Sequence, residues 1–274
     1  GLTVNKVACA VFDANGDEMG TLRKYVDCNL GNALYQVRLA KGQAYRVAFF
    51  AYNEAAAAYD LTDMKNIQLL ENQASNIEAR DAFTNYIDIT AEETMNSISK
   101  PVILYRPFAQ LNVGNTTEEW DKAVAQGITI EKSTVEVKQA ASILNLIDGS
   151  VSEPKDVVFK ANILPEEALV VDVNQDGENE AYKYLSMCYF LPYDENGGAA
   201  KTLLTDLDYT FTATNGSQIV LSNGLENAPV QRNHRTNIIS ADGDGIITGD
   251  INVKVSLDAL YDGEHTYIEE SVWD

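Results

Sequence analysis

Apolar residues along this chain fall in short runs, and between the runs stand residue pairs suited to folding the backbone back on itself. Asn-Gly occurs at Asn15-Gly16, Asn196-Gly197, Asn215-Gly216 and Asn223-Gly224. Asp-Gly occurs at Asp148-Gly149, Asp176-Gly177, Asp242-Gly243, Asp244-Gly245 and Asp262-Gly263. Such pairs tolerate the positive φ angles of tight hairpins, because Gly lacks a Cβ and Asn or Asp bonds locally. Within a run the side chains alternate. Tyr45, Val47, Phe49 and Ala51 take one face, and Arg46, Ala48, Phe50 and Tyr52 the other. Further strands are predicted at Val4 to Phe12, Val102 to Val113, Ile128 to Val137, Ser142 to Leu146, Val157 to Ala161 and Leu169 to Val173. Others follow at Tyr182 to Leu191, Tyr209 to Ala213, Gln218 to Leu221 and Ile251 to Leu257. The class is all-β, with strands in the second half spaced as in a sandwich. Pro107 cannot donate to a ladder, so it marks an edge position or a bulge in its run.

Helical signals are short. Thr117 to Ala125 opens with a capping residue, carries acids in its first turn and is stopped by Gly127. A second helical piece is predicted within Asn76 to Tyr86, and Glu54 to Asp60 has no clear assignment. The polar segment Thr90 to Lys100 meets Pro101, which places a boundary near residue 100. Two domains are expected, 1–99 and 100–274, since one core rarely grows past about 250–300 residues.

Charge narrows the partners. Lys and Arg total 20 against 41 Asp and Glu, a formal charge of −21, which repels phosphate backbones and anionic lipid heads. Nucleic acid is therefore not an expected partner. No run approaches the roughly 18 apolar residues of a membrane helix, and no signal peptide is present, so any leader is expected to have been removed. Cys9, Cys28 and Cys188 match no metal spacing; Cys9 and Cys28 could bridge, but free thiols suit apolar positions better.

Catalytic chemistry is not found. His234 lies between cations in Arg232-Asn233-His234-Arg235, His265 follows a predicted turn, and neither has an i, i+4 partner. There is no G-x-S-x-G elbow and no phosphate loop. With so many acids, adjacent pairs such as Glu118-Glu119 or Glu166-Glu167 arise by chance. The string from Asp172 to Gly177 copies half of an EF-hand loop, but Lys183 stands where a bidentate Glu belongs. Asp242 to Asp250 has the same defect, and both strings read as hairpin tips. No catalytic, cofactor-binding or metal residue is assigned, no cofactor is expected, and the chain is expected not to be an enzyme.

Several segments together carry a resemblance. They are Ala44 to Ala51, Ala79 to Phe83, Tyr105-Arg106-Pro107-Phe108-Ala109-Gln110-Leu111-Asn112-Val113-Gly114, Tyr184 to Met187, and Val230-Gln231-Arg232-Asn233-His234-Arg235-Thr236-Asn237-Ile238. Their order resembles the fimbrillin family of Bacteroidales, the subunits of type V pili, in its gut-commensal branch. The resemblance implies two transthyretin-like Greek-key β-sandwiches and export as a lipoprotein precursor to the outer membrane and cell surface. It also implies polymerisation with other pilin subunits by β-strand exchange, once a leading strand is removed, and a part in adhesion. Val102 to Val113 would enter the second domain, and Gln231 to Ile238 would lead into a late strand. No cysteine here stands at a lipobox, and the leading strand that the resemblance implies is expected to have been removed ahead of Val4. Arg106 and Arg232 are each expected to close a local carboxylate pair on the surface. The rival reading is a surface carbohydrate-binding module that does not polymerise, with Trp120, Trp273 or tyrosines stacking on sugar rings.

Overall fold

The computed structural model describes residues 3–70, 76, 78–92, 97–172, 176–194, 202–204, 207–221, 228–240, 246 and 253–258. In chain order the strands begin with β1 (Lys6–Phe12), β2 (Lys24–Asp27), β3 (Gln43–Tyr52), β4 (Tyr59–Asp60), β5 (Ile67–Leu69) and β6 (Phe83–Ala91). Next come β7 (Ala109–Thr116), helix α1 (Thr117–Ala125), β8 (Ile130–Leu144), β9 (Val151–Ile163), β10 (Leu169–Val171) and β11 (Glu180–Phe190). The last are β12 (Thr202–Leu204), β13 (Leu207–Ala213), β14 (Gln218–Leu221), β15 (Ala228–Val230), β16 (Arg235–Ser240) and β17 (Val253–Asp258). The all-β class stands.

Contacts divide the chain into two units that are not continuous in sequence. One gathers 1–107, 138–160 and 191–200; the other gathers 108–137, 161–190 and 201–274. The polar stretch near residue 100 lies inside the first unit, which ends its opening segment at Pro107.

In the first unit β1 and β3 form the middle of a four-stranded antiparallel sheet, ordered β2-β1-β3-β6. Val7, Ala8, Cys9, Ala10, Val11 and Phe12 are all buried, so β1 is covered on both faces. That explains why its sequence is a continuous apolar run rather than an alternating one. One face holds Val11, Tyr45 and Val47 and is covered by Tyr35, Val37 and Leu39. These three belong to a strap, residues 33–40, that has no regular secondary structure. Its alternate residues Leu34, Gln36, Arg38 and Ala40 are exposed. On the other face, Phe50 meets the Tyr59 ring edge-on at 5.0 Å. The same unit contains β5 paired with β4, and β5 paired with the end of β8 at Ile67↔Leu144.

The second unit is built on a five-stranded sheet, ordered β10-β11-β7-β16-β17, in which β7 and β16 run parallel and the other pairs antiparallel. It also holds the hairpin β13–β14, whose Gly216 at φ +85° supplies the left-handed turn residue predicted from Asn215-Gly216. β13 pairs with the first part of β8 from Leu207↔Val137 to Ala213↔Ile130. Helix α1 has its predicted bounds, but its cap is Thr116, whose hydroxyl accepts the Glu119 N–H at 3.2 Å. The Gly127 N–H to Val124 carbonyl bond closes the far end.

Four expectations need correction. The run Val102 to Val113 is not one strand: before Ala109 it makes only an isolated bridge, Thr84↔Tyr105. Pro107 therefore precedes β7 instead of interrupting it, and β7 is an inner strand rather than an edge. Asn76 to Tyr86 is not a helix: a 3₁₀ turn at Glu78–Arg80 leads straight into β6, because Phe83, Ile87 and Ile89 alternate and pair with β3. Finally, Ile128 to Val137 and Ser142 to Leu146 belong to a single strand, β8. The residues between them include Gln139, which keeps its place in the strand at a left-handed φ of +54°.

Candidate functional site

The chemistry-bearing residues are scattered. His234 is half-buried, its ring Nδ1 lies 2.7 Å from the Arg232 carbonyl, and its own carbonyl accepts the Gln110 N–H at 3.0 Å. It is held by backbone in a turn beside β7. His265 and Trp273 lie outside the described residues, as do 242–245 and 250. Asp172 accepts the N–H groups of Asp176 and Gly177 at 3.2 and 2.8 Å, and Asp176 accepts that of Glu178. These are the local bonds of a hairpin tip joining β10 to β11, with 173–175 outside the described residues. Among the described residues no group of three or more His, Cys, Asp or Glu side chains is arranged to hold a metal, and no helix is long and apolar enough to cross a membrane.

Cys9, Cys28 and Cys188 are free. Register explains the first two. Cys9 lies opposite Lys24, whereas the Cys28 N–H bonds to the Asn5 carbonyl, four residues away along β1. At about 3.3 Å per residue that spacing exceeds the roughly 7 Å limit for a disulfide. Burial pushes the Cys9 and Cys188 thiols up to about 12.

The two most specific strings of the resemblance come together in space. Gln110 on β7 lies beside Arg235 on β16, and the parallel register continues to Gly114↔Ile239. Gln110 Nε2 donates to Asn112 Oδ1 at 2.9 Å, and Asn112 Nδ2 donates to Asn237 Oδ1 at 2.8 Å. All three side chains are buried. This amide relay joins the two strands of the parallel pair, and its partners are satisfied internally, so it is a structural device. Arg106 does find a carboxylate, but one largely shielded from solvent. It grips Asp81 through Nε and Nη2 at 2.7–3.0 Å and lies 4.7 Å from the Phe83 ring centroid. Arg232 is half-buried, not on the open surface. Trp120 is half-buried on α1. Sequence alone did not single out Asp81 or Asn112, since nothing in their neighbourhoods announces a partner 25 or 125 residues away.

What remains are edges. β1, the first strand, has β2 on one side and β3 on the other, so no groove opens beside it. β6 is an edge strand whose outward main-chain groups are bonded at Thr84, to Tyr105, and the Tyr86 N–H turns to the Asn85 side chain. Asp88 and Thr90 have no outward main-chain partner among the described residues. Next to this edge Tyr86, Ile103 and Tyr105 are 36%, 59% and 40% exposed, an apolar margin on an acidic molecule.

Comparison with known proteins places this geometry. The model of a family of unknown function, DUF6562, matches residues 6–272. No curated protein matches the chain. Among solved structures, a candidate adhesin from Bacteroides thetaiotaomicron is similar over 94% of this chain and 89% of its own, with a TM-score of 0.53 at 8% identity. A candidate polysaccharide-binding protein (DUF1812) from the same species is similar over 94% and 89%, with a TM-score of 0.52 at 14% identity. A candidate cell adhesion protein from Bacteroides uniformis is similar over 94% and 93%, with a TM-score of 0.50 at 12% identity. At these identities the likeness is one of fold.

Proposed function

The chain belongs to the DUF6562 family, and we propose that it is a cell-surface adhesion protein that assembles with other subunits into a pilus. The observation that carries this reading is the shared fold, nearly end to end, with candidate adhesins. The fold is read here as two transthyretin-like Greek-key sandwiches, the chain as exported in lipoprotein form to the outer membrane, and its work as non-enzymatic. Assembly proceeds by strand exchange. Because β1 is flanked on both sides, a donated strand adds at the outer edge of β6, where Asp88 and Thr90 have no outward main-chain partner among the described residues.

Intact native cells stained with antibody against the chain should label, and the label should vanish on deletion of its gene. Surface material sheared from the same cells should give a ladder of oligomers on gels run without boiling. A protein found only inside the cell overturns the surface reading, and a single monomer band overturns assembly.

A second reading is supported by the fold shared with the candidate polysaccharide-binding protein: a non-polymerising surface module that binds carbohydrate. A monomer band combined with a clear saccharide hit on a glycan array would favour it.

A further inference from the structure

Between β2 and the strap lies an open cleft of about 550 Å³ lined by Leu22, Lys24, Gln36, Val37 and Arg38. Its size is in the range of small-ligand sites, about 300–1,000 Å³. Two of its lining side chains are cationic, in a chain of net charge −21. Several other cations are paired: Arg23 with Glu18, Arg46 with Asp88, Arg106 with Asp81, Lys6 with Asp27 and Glu54. Lys24 and Arg38 have no carboxylate partner among the described residues, although the chain carries 41 acids to choose from. The Lys24 ammonium donates one bond, to the Gln36 carbonyl at 2.9 Å, lies 5.8 Å from the Tyr35 ring centroid, and has N–H capacity left for another acceptor.

We propose that this cleft binds the carboxylate-bearing units of an acidic saccharide. Lys24 and Arg38 take the carboxylate, the guanidinium offering paired donors of matching geometry. The Gln36 amide meets hydroxyls, and the apolar sides of Leu22 and Val37 support the C–H face of a pyranose ring. An acidic peptide strand fits less well. The Lys24–Gln36 bond spans the gap between β2 and the strap, so a strand laid between them would break it. β2 is also only four residues long, too short an edge for a firm ladder. The saccharide class rests on the surface-adhesion reading; the preference for an anion rests on Lys24 and Arg38 alone.

The test titrates the whole chain with an oligogalacturonate, an uncharged galactose oligomer of equal length, and hexaglutamate, followed by NMR shifts and calorimetry. The acidic sugar should bind with a dissociation constant on the order of 1 mM, shifting strap and β2 signals, and the uncharged oligomer at least tenfold more weakly. Arg38→Gln alters an exposed side chain and should weaken the acidic sugar about tenfold, Lys24→Gln similarly, while Lys24→Arg should retain binding. No binding, equal binding of the neutral sugar, or binding unchanged in Arg38→Gln overturns the proposal. Hexaglutamate binding as tightly as the sugar overturns the saccharide assignment. If the titration fails while antibody still labels intact cells, the cleft is wrong and the surface reading stands.

Discussion

Gly114 shows how little room the second unit leaves at a single residue. A Cβ there would sit 2.8 Å from Ile239 Cδ1, 3.1 Å from Leu169 Cδ2 and 3.3 Å from Tyr182 Cβ. Ile239 and Leu169 are themselves buried, so neither can move aside freely. Gly114→Ala should therefore cost about 1–3 kcal/mol in denaturant unfolding; an unchanged midpoint would show that the sheet gives way. The Arg106–Asp81 pair has the opposite problem, a charge that must not be left alone. Both side chains are nearly buried, at 8% and 13% exposure. Arg106→Ala should destabilise the chain by about 3–5 kcal/mol, and a loss below 1 kcal/mol would mean that water reaches Asp81. The thiols set an alkaline limit. Burial raises Cys9 and Cys188 from 9.0 to about 12, so the folded state holds those protons longer than the unfolded one. Their contribution is complete below about pH 9 and fades as pH climbs towards 12. Ellman reagent on the native protein should modify Cys28 ahead of Cys9 and Cys188, with all three reacting after unfolding.

At the scale of elements, the strap and β6 make contrasting predictions. The strap's alternate side chains pack like those of a strand, yet among the described residues no main-chain N–H from 33 to 40 donates a bond. Its amides should exchange with deuterium far sooner than those of β1, which are laddered on both sides. Slow strap exchange would mean that side-chain packing alone protects it. In β6 the even-numbered residues point their main-chain groups outward, as the Thr84–Tyr105 bridge fixes. Thr90→Pro removes an outward N–H and should leave the fold within about 1 kcal/mol of the parent while blocking strand addition. Oligomer ladders that persist in this variant would move the assembly edge elsewhere.

For the molecule as a whole, 41 carboxylates against 20 cations leave a net charge of −21. Self-repulsion of this kind weakens the compact state. Raising ionic strength from about 0.01 M to 1 M shortens the screening length from about 30 to 3 Å. Tm should rise over that range, and a fall would show that ion pairs such as Arg46–Asp88 outweigh the repulsion.

The β class, the hairpin at Asn215-Gly216 and the extent of α1 follow from sequence, because strand alternation, turn pairs and helix caps are local rules read within a few residues. Arg106 and Gln110 stand out in sequence as parts of specific strings, but their roles do not. Whether Pro107 interrupts a strand or precedes one, whether Arg106 faces water or Asp81, and which strand borders β1 depend on partners far along the chain. Only tertiary structure brings Asp81 to Arg106, Asn237 to Asn112, and the strap over β1. The physical reason is that side-chain identity fixes what a residue can bond, while burial, register and the chain's return path fix what it meets.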